Sequence, residues 1–419
     1  MNILIINQPV ENRGDESAHR SLMRALIEQC PAAHITVAFV GEDEESVRQM
    51  EVLGAKVKYV AIPMKRGASR IPALAFKLRL RRLVAFLHPA YRQLKRMIEA
   101  ADYVVNAPGG ICMGGFRSWR HIFYLMMARD CGRSVAYYSR SFGPFSETTG
   151  QDRLFRRISL LLLNSFDFLA IRDRSTMKFA DQLGLRYTTA IDTAFLDVPN
   201  ASIPSGVTTE IGTTDYVVFV PNALMWHVDY RGADSHRIDG FFLRILDLLR
   251  TQYPSSKVVM LPQLFNAGTL GDSVYFIDLR SRSSHRQHVV VLPDCYGSDI
   301  QQAIIGKARL VVGARYHSIV FAVNNRVPFV ALSYEHKISG MLATLNIEDR
   351  ALDIRLLGTP EFDEAVSLQC IKNLLNQSYL RDAVGNRANE IARECFQSFA
   401  KRLDAVAKPD LGRDNHGRA

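Results

Sequence analysis

The stretch Val311-Val312-Gly313-Ala314-Arg315-Tyr316-His317-Ser318-Ile319-Val320-Phe321-Ala322-Val323-Asn324-Asn325-Arg326-Val327-Pro328-Phe329-Val330-Ala331-Leu332 decides the fold. A β-rich run over Leu310–Val312 passes through a turn into a helical pattern, and a second β-rich run, Phe329–Leu332, follows. Two parallel strands need a crossover connection between them, usually a helix, so this unit belongs to a parallel sheet.

The alternation extends outward from this unit. Ile3–Ile6, Ile35–Val40, Val57–Ile62, Tyr103–Asn106, Ser134–Tyr138, Phe168–Ile171 and Thr188–Ile191 read as strands in the first half. Tyr216–Val220, Val258–Leu261 and Val289–Leu292 do so in the second. Helical spacing lies between them, as in Asp15–Gln29 and Asp239–Arg250. A chain of 419 residues is too long for one ordinary core. The stretch 197–215 is rich in Pro, Gly, Ser and Thr, lacks helical periodicity and reads as a linker. The expected fold is α/β, with two Rossmann-like domains facing a cleft: residues 1–200, a linker at 201–215, and 216–407 with closing helices over Val366–Ala407. The polar tail 408–419 is expected to be disordered. Two such halves resemble glycosyltransferases of the B architecture, with ligands in the cleft at the carboxyl ends of the strands.

With 47% hydrophobic and 22% charged residues, the composition excludes disordered and fibrous classes. Apolar runs such as Ile158–Leu163 fall short of the roughly 20 residues that span a bilayer. Met1–Asn7 lacks the marks of a signal peptide, so a cytoplasmic protein is expected. Six scattered cysteines form no CxxC pair and no metal-ligand spacing; they read as free thiols, and no metal site is expected.

The net charge of +10 sits in one place. Between Met64 and Arg96 stand 10 Lys and Arg with no acid; subtracting them from 52 leaves 42 bases against 42 acids elsewhere. Leu74, Phe76, Leu80, Leu83, Phe86 and Leu87 interleave with these cations. The segment 64–96 is read as a helical element, started by Pro72 and broken near Pro89, that meets an anionic membrane surface and makes the protein peripheral at its inner face. Confinement of the charge, and the lack of any nucleic-acid-binding motif, argue against a nucleic-acid partner.

The candidate chemistry stands at strand ends. Arg315 and His317 put a permanent cation and a group titrating near neutrality at a strand-to-helix turn, with Tyr316 between them and Lys337 beyond the next strand. Together they can hold a phosphate or carboxylate and move a proton. In the first half, Asn12, Gly14 and Asp15 sit where strand 1 enters helix 1, a junction able to hold an anion, with no GxGxxG or Walker lysine. Gly109 and Gly110 open a glycine loop that permits positive φ or close backbone approach to a ligand. Ser141 follows the next strand.

The ordered set of Asn12–Asp15, Pro108–Gly115, Ser141-Phe-Gly-Pro144, Ala170-Ile-Arg-Asp-Arg174, Asp192-Thr-Ala-Phe195, Arg315-x-His317, Pro328 and Tyr334-x-x-Lys337 resembles the polysaccharide pyruvyl transferase family over residues 1–345. The resemblance implies phosphoenolpyruvate as donor and a saccharide or lipid-linked oligosaccharide as acceptor. It puts the acceptor on residues 1–200 and the donor on 216–407. It also implies that Arg315 grips the donor anion, that His317 is the general acid or base, and that no cofactor is needed. Members commonly carry a basic residue after the first strand of the second domain, where this chain offers Asn222 and His227. A nucleotide-sugar glycosyltransferase of the same shape is the rival reading, with Glu335 or Glu361 as the acid on the donor ribose.

Overall fold

The computed structural model describes all residues except 10–11, 49, 51–52, 65–69, 115–116, 213–214, 266–270 and 408–419. Lys65 and Arg66 of the basic segment, Gly115 of the glycine loop and the 408–419 tail therefore lie outside the described residues.

The first sheet comprises β1 (Asn2–Ile6), β2 (His34–Val40), β3 (Val57–Ile62), β4 (Tyr103–Asn106), β5 (Ser134–Tyr137), β6 (Phe168–Ile171) and β7 (Thr188–Thr189). The second comprises β8 (Tyr216–Val220), β9 (Lys257–Met260), β10 (Val289–Val291), β11 (Leu310–Gly313), β12 (Phe329–Ser333) and β13 (Ala351–Asp353). All pairings within both sheets are parallel, in the orders β3-β2-β1-β4-β5-β6-β7 and β10-β9-β8-β11-β12-β13. Central strands such as β4, β8 and β11 are buried at every residue, which is why they read as unbroken apolar runs rather than alternating ones. In both sheets the order reverses beside the first strand, between β1 and β4 and between β8 and β11. Crevices open at such points.

The stretch expected to be an aperiodic linker instead contains the helix Ser205–Ile211, whose Val207 and Ile211 are buried in the core of the second domain. Two apolar residues four apart are enough to anchor two helical turns on a core, too few to register as a period. The short β13 also escaped the sequence reading, since Ala351-Leu-Asp353 has a single large apolar residue.

A larger correction concerns the closing helices. Two are present, Glu364–Asn376 and Arg381–Ala407. Ala388, Ile391 and Ala392 of the last helix pack with the second domain, while Cys395, Phe396, Phe399 and Leu403 are buried in the core of the first. The end of this helix thus belongs structurally to the domain of residues 1–200. Phe399 is the anchor, with ring centroids 5.9 Å from Tyr103, 5.0 Å from Tyr138 and 5.4 Å from Phe168. Phe399→Ala should destabilise the protein by about 3–5 kcal/mol, the usual cost of emptying an aromatic site in a core. Chemical denaturation followed by fluorescence would check it, and an unchanged transition would show that the helix does not support the first domain.

Candidate active site

The two crevices meet. Asn12 accepts a hydrogen bond from Gly14 N at 2.7 Å and so caps the helix Arg13–Gln29, which begins at the carboxyl end of the first sheet. That same cap touches the second domain, where Arg13 N donates to Gln263 O at 2.9 Å. Further along this helix, Arg20 reaches Asp299 at 2.9 Å, and Gln302 donates to Ser17 at 3.0 Å. The helix is thus fixed from both sides.

His317 comes from the opposite direction, in the first turn of the helix Tyr316–Asn324. Its ring lies on the backbone of Gly14, where an added Cβ would stand 1.7 Å from Nδ1. Only glycine fits beneath it. His317 Nε2 is 3.5 Å from Asp192 Oδ2, a charge contact too long to be a good hydrogen bond, and Arg172 donates to that oxygen at 2.7 Å. Burial pushes the Asp192 carboxyl up, but His317 and Arg172 outweigh it and hold the group below the ordinary aspartate range. Burial likewise opposes the Arg172 charge, yet Tyr316, Asp192, Asp15 and Asp173 keep it protonated. The Tyr316 hydroxyl is buried without a hydrogen-bond partner among the described residues, and burial raises its pKa above the ordinary phenol value.

A second cluster lies on the second domain. Arg315 is buried and paired with Asp272, whose other oxygen accepts from Gln263 N at 3.0 Å and Leu264 N at 2.9 Å. The Nε atom of Arg315 has no partner among the described residues. Lys337 Nζ stands 3.2 Å from Glu335 Oε2, and a Cβ on Gly110 of the first domain would lie 4.0 Å from the same Nζ. Glu335, pushed up by burial, is brought below its usual value chiefly by Lys337. Asn222 is fully buried, accepts from Trp226 Nε1 at 3.0 Å and has no partner for its own amide nitrogen among the described residues. His227 is buried against Trp226 and Tyr334.

The structure therefore brings Asn12, Gly14, Asp15, Gly109, Gly110, Tyr316, His317 and Lys337 to one junction and assigns several of them work within the protein. Gly14 is the floor under His317, and Asn12 is a helix cap. Gly109 has φ +148 and its missing Cβ leaves room for the Asp15 carboxylate, 3.2 Å from where that carbon would be. The glycine loop makes its close approach to protein backbone: Gly114 pairs with Gly143, and a Cβ on Gly114 would stand 2.4 Å from Gly143 Cα. Ser141 is fully buried, donating to Asp173 at 2.6 Å and accepting from Arg172 at 3.2 Å, so it serves the scaffold and offers nothing to a ligand. Arg315 cannot be replaced with the fold left untouched, because Asp272 would remain buried and unpaired.

Sequence reading assigned no role to Arg140, Arg172, Asp192 or Asp272. Arg140 is 2% exposed and donates to Gly110 O at 2.8 Å, Ala107 O at 2.7 Å and Cys112 Sγ at 3.0 Å, with no carboxylate partner among the described residues. Arg172 and Asp192 stand inside quoted motifs, and the signal that could have found them is a charged residue directly behind an apolar strand run, Phe168–Ile171 or Ala190–Ile191.

Residues 12–336 match the sequence profile of a family described as polysaccharide pyruvyl transferase. The chain belongs to this family. Among its relatives is the amylovoran biosynthesis protein AmsJ of Erwinia amylovora, 20% identical over 283 residues, covering 64% of this chain and 66% of that protein; the chain thus spans just under two thirds of that relative's length. In fold it is similar to a putative UDP-N-acetylglucosamine 2-epimerase from Listeria monocytogenes (TM-score 0.58, 10% identity, 99% of each chain). It is also similar to a variant of Os79 from O. sativa in complex with UDP (TM-score 0.60, 12% identity, 96% of this chain and 100% of that one). These likenesses establish the two-domain B architecture, and the family span runs from the Asn12 cap to the residue before Lys337, taking in every other residue of the junction.

Gly14→Ala should therefore lift His317 off the first domain. Activity should fall at least tenfold while the far-ultraviolet circular dichroism stays native; an alanine variant with full activity would show that the ring's seat is unimportant. Acid should act through Asp192 with a defined sign: a depressed carboxyl pKa contributes stability above the unfolded value of about 3.9, and that contribution is lost as pH falls through the lower folded value. Asp192→Asn should accordingly remove part of the acid sensitivity of thermal unfolding below about pH 4, and identical wild-type and variant profiles there would contradict this.

Proposed function

We propose that the chain is a phosphoenolpyruvate-dependent pyruvyl transferase that builds a cyclic ketal on a sugar of a polysaccharide or lipid-linked oligosaccharide precursor. The observation that carries this reading is the buried pair of His317 and Asp192, formed between the two domains at a junction rich in cations and lying within the family span.

The chemistry asks for an anion site and a proton carrier. Protonation of the donor's methylene carbon makes the adjacent carbon electrophilic; one sugar hydroxyl adds to it, a second displaces phosphate, and the two hydroxyl protons end on the new methyl group and on phosphate. In this reading His317 carries a proton, with Asp192 behind Nε2 to stabilise the charged ring. Arg140, Arg315 Nε and Lys337 supply positive charge for the donor's phosphate and carboxylate. Asp15, beside Gly109, is the carboxylate placed to accept a proton from a sugar hydroxyl. The donor carries its own leaving group, so this scheme uses no cofactor.

In this reading Arg140, on the first domain, supplies the further cation that Asn222 does not. The rival nucleotide-sugar reading draws on the shared architecture, but Glu335 is already engaged by Lys337 and Glu361 is exposed.

His317→Gln should lower turnover by roughly 100- to 10,000-fold, the usual contribution of a general acid or base, with donor affinity preserved. Phosphate release and isothermal titration with phosphoenolpyruvate and UDP-sugars would test both points. Binding of a UDP-sugar without binding of phosphoenolpyruvate would overturn the proposal in favour of glycosyl transfer. Arg315→Ala should weaken donor binding and also cost about 3–5 kcal/mol of stability, because it strands Asp272 in the interior.

A further inference from the structure

The basic segment forms three short helices, Ile71–Lys77, Arg81–Leu87 and Pro89–Ala100. The expected single helix from Pro72 is interrupted at Leu78-Arg79-Leu80, where Arg79 has φ +58. The break turns the second helix so that it buries Ala85 alone. The first helix buries Pro72, Ala75 and Phe76, and Phe76 packs on Trp119 and Phe123 of the domain interior. What remains outside is apolar: Leu74, Leu78, Leu80, Leu83, Phe86 and Leu87 are 43–62% exposed. Six of the 16 large exposed hydrophobics among the described residues fall in these 14 positions, a concentration that scattered surface leucines do not show.

Charge is interleaved with this apolar surface. Lys77, Arg79 and Arg82 are exposed; Asp130 pairs with Arg81 at 2.8 Å and stands 3.8 Å from Arg82, whose side chain is 79% exposed. Lys77 and Arg79 have no carboxylate partner among the described residues. No helix among the described residues is long and apolar enough to cross a membrane, so a lipid-facing role for this element means lying on the surface.

We propose that the helices Ile71–Lys77 and Arg81–Leu87 form a docking surface for an anionic lipid bilayer, with the leucines and Phe86 entering the interface and Lys77, Arg79 and Arg82 meeting headgroup phosphates. Charge complementarity selects this occupant. A second copy of the chain would bring the same three cations face to face, whereas an anionic bilayer supplies both the negative surface and the apolar layer beneath it. The inference is independent of the donor chemistry above.

The test is flotation of the full chain with vesicles of phosphatidylcholine, with and without phosphatidylglycerol, at low and high salt and without substrates. Wild type should float with the anionic vesicles alone and be released by salt. Each basic residue near such a surface strengthens binding about fivefold, so K77Q/R79Q/R82Q should weaken partitioning by tenfold or more. L78S/L83S/F86S should lose a comparable amount at an unchanged melting temperature. Equal flotation of wild type and both variants would overturn the proposal. So would absence of wild-type flotation, including the case where sedimentation shows a dimer that the apolar variant dissolves.

Discussion

The arrangement depends on the absence of one carbon atom. His317 reaches Asp192 only because Gly14 presents bare backbone at the start of the helix Arg13–Gln29, and any side chain there would occupy the ring's volume. That one contact joins the switch point of one sheet to the switch point of the other. The helix bearing Gly14 is held to the second domain by Arg13, Ser17 and Arg20, so the seat is fixed by contacts other than the ring's own.

Charge around the junction is arranged in buried pairs that divide the labour. Arg172 with Asp192 and Arg315 with Asp272 each remove two charges from water, and such pairs add little net stability because desolvation offsets the attraction. Their effect is geometric: Asp192 is presented to His317, and Asp272 fixes the guanidinium of Arg315 at the mouth of β11. Arg140 differs, since its donors go to carbonyls around the glycine loop and to a thiol, so it adds positive potential at the junction with no acid paired to it among the described residues.

Most of the architecture was legible because parallel strands buried on both faces advertise themselves as short apolar runs, and the 12 strands read from sequence all occur. What stayed hidden depends on surroundings. The helix Ser205–Ile211 is held by two residues, β13 by one, and the domain-crossing of the last helix shows only when Phe399 finds Tyr103, Tyr138 and Phe168. At the site, the sequence put Arg315, His317 and Lys337 on one edge. It could not reveal that Ser141 faces inward, that Arg315 is committed to an acid 43 positions earlier, or that Gly14 makes room for the His317 ring and Gly109 for the Asp15 carboxylate. A motif names residues at strand ends; partners across the cleft decide which remain free.

The last helix carries a mechanical consequence. Its 27 residues span about 40 Å, with one end in each core, so the chain crosses between domains twice: once near Asp197 and once inside a continuous helix. A rigid rod rooted in both bodies resists their separation and permits chiefly rotation around its own line. Any movement that lifted His317 from Gly14 would have to turn about this rod, since sliding the two bodies apart would pull Phe399 out from between Tyr103, Tyr138 and Phe168.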